Sequence, residues 1–229
     1  MSGDKISSSL SHAWLSMIRL LFVPLLSLSL IISAPPSLAL GDFDGEAGGF
    51  WWLVDSEDLF DTSLNTQATG AYANVWWRQT WGIHSALYRV GEEKVNMAPD
   101  QQLVVDLERR LLSATDNTYL AAGLGWEKNR FGDEGSASGP RVSADARIGL
   151  LGALYVYGRA GWAPDLNHLG RREDISSISV ETGLVLDPLP FLSLRAAYRY
   201  HITDYTEVTT STDLRESSYG VLFGGGIHW

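Results

Sequence analysis

Three residues near the carboxy-terminal end could support nucleophilic chemistry: His201, Thr203 and Glu207. A hydroxyl two residues from an imidazole on one strand face can lose its proton to that ring and attack an acyl carbon, provided a third group orients the imidazole. The remaining chemistry is sparse. There is no cysteine, so thiol and disulfide chemistry are absent. His84 and His228 stand alone, and no set of His, Asp and Glu has metal-ligand spacing. Asp55, Glu57, Asp58 and Asp61 could gather around a hard cation. They lack the loop glycine and spacing of a calcium hand, so the segment reads as a solvated acidic loop, and no motif calls for a cofactor.

The charged residues show more order. Arg78, Arg110, Arg141, Arg147, Arg159, Arg195 and Arg199 fall on the same strand faces as Glu46, Asp106, Glu108, Glu127, Asp145 and Glu181. The two signs are close to balance, and the opposite faces are apolar. Arginines on one face of a strand exclude a dry sandwich core there, because an unpaired buried charge is too costly. What must position them is a sheet with lipid or core on one side and polar partners on the other.

The strands can be traced from the carboxy-terminus. Over residues 219–229, Tyr219, Val221, Phe223, Gly225, Ile227 and Trp229 share one face, while Gly220, Leu222, Gly224, Gly226 and His228 share the other. Residues 191–203 alternate Leu192, Leu194, Ala196, Tyr198, Tyr200 and Ile202 against Arg195, Arg199, His201 and Thr203. Similar alternation runs through residues 176–186, 153–162, 141–150 and 118–128. Residues 102–112 also fit a helix through Leu103, Leu107 and Leu111, but every neighbour alternates, which favours a strand. Residues 70–90 are too long for one spanning strand of about 9–11 residues and divide near Gln79 and Thr80. Residues 46–54 supply the first strand.

The expected fold is all-β, a closed antiparallel up-and-down transmembrane barrel of ten strands. Eight is the alternative if the first segments do not span. The connections alternate long and short: residues 55–69, 91–101, 129–139, 163–175 and 204–217 are long, and the joins near Gln79, Ala114, Gly152 and Pro188 are short. Outer-membrane barrels pair short periplasmic turns with long outer loops, and closure pairs every strand edge in hydrocarbon. Tryptophans 51, 52, 76, 77, 81, 126 and 162 are expected at the two membrane interfaces.

Residues 1–39 read as a secretory leader, with Lys5, His12 and Arg19 in the basic part, an apolar run over 20–32, and Ser37, Leu38 and Ala39 before cleavage at Leu40. That run is interrupted by Pro24 and is shorter than the about 20 residues a spanning helix needs. Residues 40–229 form the barrel domain. The formal charge of the 229-residue chain is −10, and removing Asp4, Lys5 and Arg19 makes it one unit more negative. An acidic chain with no basic run is a poor nucleic-acid partner.

Residues 117–229 resemble small outer-membrane β-barrel proteins of Gram-negative bacteria, in the YfaZ-like and OmpA-like groups. The resemblance is carried by residues 120–126, by Tyr157, Gly158, Arg159, Ala160, Gly161 and Trp162, by residues 190–200, and by residues 224–229. It implies insertion by the barrel assembly machinery, which would read Tyr219, Val221, Phe223, Gly224, Ile227 and Trp229. Leu222 stands where a polar residue is common, and Trp229 replaces the commoner Phe. It also implies a setting among outer-membrane lipids and lipopolysaccharide, and it transfers no catalytic residue. His201, Thr203 and Glu207 are similar to the His-x-Ser pair and Glu of outer-membrane lipid A deacylases. Here Thr203 replaces the serine, Asp204 replaces the following asparagine, and the strand phase points the pair into the lumen.

The interior of so narrow a barrel is largely filled by side chains, so the balanced charges are expected to form a salt-bridged core. A selective channel would instead concentrate one sign at its constriction. The expectation is therefore a monomeric, non-enzymatic outer-membrane protein of structural or surface-interaction role. A narrow porin for small solutes and a lipid A-modifying acyl hydrolase are the alternatives.

Overall fold

In the computed structural model, residues 42–57, 64–91, 99–115 and 117–229 are described. The leader with its cleavage site, and Asp58 and Asp61 of the acidic loop, lie outside them. The described chain forms ten strands: β1 Phe43–Glu57, β2 Leu64–Trp77, β3 Trp81–Val90, β4 Gln101–Thr115, β5 Thr118–Arg130, β6 Ser136–Leu151, β7 Leu154–Leu166, β8 Arg172–Leu189, β9 Leu192–Glu207 and β10 Thr212–His228. Each pairs antiparallel with its neighbours in sequence, and β10 pairs with β1 to close the barrel. Residues 102–112 lie within β4. The split at Gln79 is a turn in which Arg78 and Gln79 take positive φ.

The outward face is apolar and exposed, as in a barrel solvated by lipid rather than water. Along β4 burial alternates strictly up to Arg110, with Leu103, Val105 and Leu107 outward. The register shift between Arg110 and Leu112 then turns both Leu111 and Leu112 outward at the turn end. Trp51, Trp126 and Trp162 are each the ninth residue of a strand rising from the turn end, and all three are exposed. Phe43, Trp77, Trp81 and Phe191 are exposed at the turn end itself. Eight residues of rise cover about 26 Å along a strand, or on the order of 20 Å along the axis of a barrel tilted about 40°. Two aromatic rings at that separation bracket the hydrocarbon of a bilayer. Leu124 lies between them and is 70% exposed. Leu124→Arg is expected to lower stability by about 2–4 kcal/mol, read as a lower denaturant midpoint in vesicles.

Two assignments change. Trp52 and Trp76 face the lumen, 3% and 5% exposed, and are not interface anchors. Each is one residue from an outward tryptophan, and successive strand side chains take opposite faces. The outer connections are also shorter than expected. Much of residues 129–139, 163–175 and 204–217 is strand, carrying the sheet beyond the apolar belt. There a second cluster, Phe131, Ala137, Ala163, Leu166, Ile175 and Tyr205, packs inside the sheet. A strand with water on its outer face no longer needs outward apolar residues, so its sequence imitates a polar loop.

Candidate functional site

The lumen is where strand parity brings the polar side chains together. Arg195 lies 3.2 Å from Glu46 Oε1 and 3.8 Å from Glu181 Oε1. The same guanidinium is stacked 3.8 Å above the Tyr72 ring and 4.8 Å above Tyr157. Arg199 follows the same plan: it pairs with Glu181 at 3.4 Å, donates to Gln102 and lies 3.6 Å over Tyr88. Tyr88 and Tyr157 donate to the two oxygens of Glu181 at 2.9 and 2.7 Å. Tyr72 donates to Glu46 at 2.8 Å.

The other arginines continue the pattern. Arg141 binds Glu127 at 2.5 Å and Asp106 at 3.3 Å, and donates to Ser179. Arg159 binds Asp145 at 2.5 Å and reaches Glu108 at 3.9 Å, with Nη1 2.9 Å from His84 Nε2. Arg147 reaches Glu46 at 3.4 Å and stacks on Tyr155. Toward the turn end, Arg110 lies 4.3 Å over Trp76 and 4.0 Å over Tyr119, which also donates to Asp145. At the loop end Arg172 sits between Phe131 and Tyr205 and pairs with Glu134 at 3.2 Å. Buried ions of this kind are tolerable only when their charge is met and their remaining donors are occupied. Carboxylates meet the charge of Arg141, Arg147, Arg159, Arg172, Arg195 and Arg199, and aromatic faces, which are electron-rich, lie against the guanidiniums of Arg110, Arg147, Arg172, Arg195 and Arg199.

Of the expected lumen residues, Arg78 does not belong. It sits in the β2–β3 turn, exposed, with Nη2 3.0 Å from Asp42 Oδ2. Alternation stops at a turn, so strand parity assigns no face to that residue. The tyrosines Tyr72, Tyr88, Tyr119, Tyr155 and Tyr157, with Trp52 and Trp76, are the site residues that charge matching alone overlooks. Trp52, Tyr119, Tyr155 and Tyr157 carried a signal, since each shares a strand face with Glu46, Glu127 or Arg159, whereas Tyr72 and Trp76 of β2 and Tyr88 of β3 share theirs with no arginine or carboxylate.

His201 and Thr203 are also in the lumen, Oγ1 3.3 Å from Nε2. Gln102 Nε2 lies 3.4 Å from His201 Nδ1, and Gln102 in turn donates to Glu127. Both members of the pair are buried, and Thr203 has no exposed surface. Glu207 is six residues along the same strand, about 20 Å from His201, and pairs in register with Arg172 and Thr212. It cannot orient the imidazole. Among the described residues no group of three or more His, Asp or Glu could hold a metal ion.

Tyr219, Val221, Phe223 and Ile227 point outward, and Gly224 lies against the backbone of Gly49 and Phe50. Trp229 exchanges backbone hydrogen bonds with Gly45 at 3.0 and 3.2 Å, and its indole covers the Gly45 Cα. A Cβ at Gly45 would come within 2.4 Å of that ring, so the first and last strands meet closely at a residue without a side chain.

No protein-family model matches the chain, and no curated protein matches it. Solved structures do. The outer-membrane protease OmpT from Escherichia coli superposes with a TM-score of 0.52 at 9% identity, covering 85% of this chain and 99% of that one. Neisserial surface protein A gives 0.39 at 14% identity, covering 81% and 96%. Ail, the attachment invasion locus protein of Yersinia pestis, gives 0.35 at 12% identity, covering 82% and 99%. The OmpT match establishes the fold, that of an outer-membrane β-barrel, and at this identity nothing beyond it.

Proposed function

We propose that this chain is an integral outer-membrane barrel of structural or surface-interaction role, with a lumen closed by its own arginine, carboxylate and tyrosine core. The observation that carries the reading is Arg195, which joins Glu46 of β1, Tyr72 of β2, Tyr157 of β7 and Glu181 of β8 across the barrel axis. A side chain tied to opposite walls occupies the path an ion would take. The charges along that path are matched in sign, whereas a selective pore concentrates one sign.

On this reading the protein is exported by the leader in residues 1–39 and inserted by the barrel assembly machinery. It stands as a monomer among outer-membrane lipids, because closure leaves no strand edge to extend into a neighbour. Neither a catalytic role nor a cofactor is part of the proposal, since His201 and Thr203 are sealed in the core without an orienting carboxylate. Within the small barrels, the phrases at residues 157–162 and 224–229 support a place beside the YfaZ-like group. Purified protein in planar bilayers is expected to give no reproducible conductance steps; regular open steps would overturn the closed lumen and favour a narrow porin.

A further inference from the structure

The outward face of β3, β4 and β5 can be followed row by row toward the loop end. Ile83, Leu107 and Leu124 are cross-strand neighbours, followed by Ser85, Val105 and Trp126, then Leu87, Leu103 and Lys128, then Arg89, Gln101 and Arg130. Successive rows rise about 7 Å along the strands. The surface therefore passes from aliphatic, through an interface tryptophan, to cationic within about 20 Å of strand. Thr69 and Ser136 flank the last row.

The cations in these rows are not equivalent. Arg130 is held by Asp100 through Nε and Nη2 at 3.0, 3.1 and 2.6 Å, so its charge is matched. Arg89 and Lys128 are exposed, and neither has an acidic partner among the described residues. The far side of the barrel differs. There the corresponding row holds Ser176, Asp204 and Arg215, and Arg215 binds Asp204 at 2.7 and 3.1 Å. In a chain of net charge −10, two cations with no acidic partner among the described residues lie together on one outward face, directly above the aromatic ring.

Lateral spacing of about 4.8 Å per strand puts the Cα atoms of Arg89 and Lys128 about 12 Å apart, diagonally across β4. Both side chains are long enough to converge over Leu103 and Gln101. An anion at this height meets cations beside it and apolar surface below it, and that combination fits a lipid headgroup. We propose that this face seats a phosphate-bearing glycolipid of the outer leaflet, the lipid A part of lipopolysaccharide, with its phosphate between Arg89 and Lys128. Gln101 donates to the phosphate, and acyl chains lie along Leu103, Val105 and Trp126. The assignment rests on the outer-membrane reading above.

The test is native mass spectrometry of the detergent-folded barrel titrated with bisphosphorylated lipid A and with the same lipid after its phosphates are removed. Wild type is expected to retain the phosphorylated lipid preferentially. The Arg89→Gln/Lys128→Gln double variant should bind it roughly 30-fold more weakly, about fivefold for each surface charge. Arg109→Gln, an outward cation over Trp81 at the turn end, should bind as wild type does. Heat-shifted migration on gels confirms that each variant is folded. Binding by the double variant within twofold of wild type, or equal binding of the dephosphorylated lipid, would overturn the proposal alone. A wild-type chain that neither inserts nor shows a heat shift would overturn the membrane reading and this proposal with it.

Discussion

Gly161→Val is expected to abolish the folded, heat-shifted form of the protein, whereas Gly158→Val, on the same strand, leaves it intact. The two glycines face opposite sides of β7. A Cβ at Gly161 would stand 1.7 Å from Arg141 Nη2 and 2.0 Å from its Cζ. That guanidinium cannot retreat, because it is buried between Glu127 at 2.5 Å, Asp106 at 3.3 Å and Ser179 at 3.1 Å. Displacing it would leave two carboxylates without their cation in a water-poor interior, a loss of at least about 3–5 kcal/mol. A Cβ at Gly158 meets nothing within 4 Å and only adds apolar surface toward lipid. The measurement is the fraction of refolded chain that migrates differently with and without boiling. Equal fractions for the two variants would mean that Arg141 does not fill the space beside Gly161.

Glu181 is the second sensitive point. Its two oxygens accept from Tyr88 and Tyr157 and face Arg195 and Arg199. Glu181→Leu is expected to destabilise the barrel by about 3–5 kcal/mol, because it takes the carboxylate from Arg199, leaves Arg195 with Glu46 alone, and strands two phenols at once. Glu181→Gln keeps an acceptor for the tyrosines and should recover part of that loss. Both are read as the denaturant midpoint of the protein folded into lipid vesicles. A leucine variant as stable as wild type would show that the arginines find other partners, and would remove the central argument for a tightly joined lumen.

Most of the barrel wall was legible from the chain. Residues 118–128 and 153–162 alternate cleanly, and the structure places Tyr119 and Tyr155 inward and Trp126 and Trp162 outward, as that alternation requires. The legible part ended where alternation lost its meaning. At Arg78 the strand had already turned. In residues 204–217 the outer face met water, so apolar periodicity faded while Asp204, Thr206, Asp213 and Arg215 continued the ladder. Trp51 and Trp52 are adjacent on β1 and cannot share a face, so only Trp51 reaches the interface, and residue type alone does not say which of the two it is.

The faces of the strands are a local property. A side chain points in or out according to its parity, and parity is written in the order of the residues, so the chain alone determined an apolar exterior and a charged interior on ten strands. Partnership inside is not local. Arg195 meets Glu46 across a separation of 149 residues because β10 closes onto β1 in one particular register. A shift of that register by two residues would preserve every face and part Glu46 from Arg195 and Arg147, while the directly cross-strand pairs Asp145–Arg159 and Glu181–Arg199 would stay. Only the closed tertiary structure decides which aromatic ring covers which arginine, and that Arg89 and Lys128, on strands separated by β4, stand together at the membrane surface.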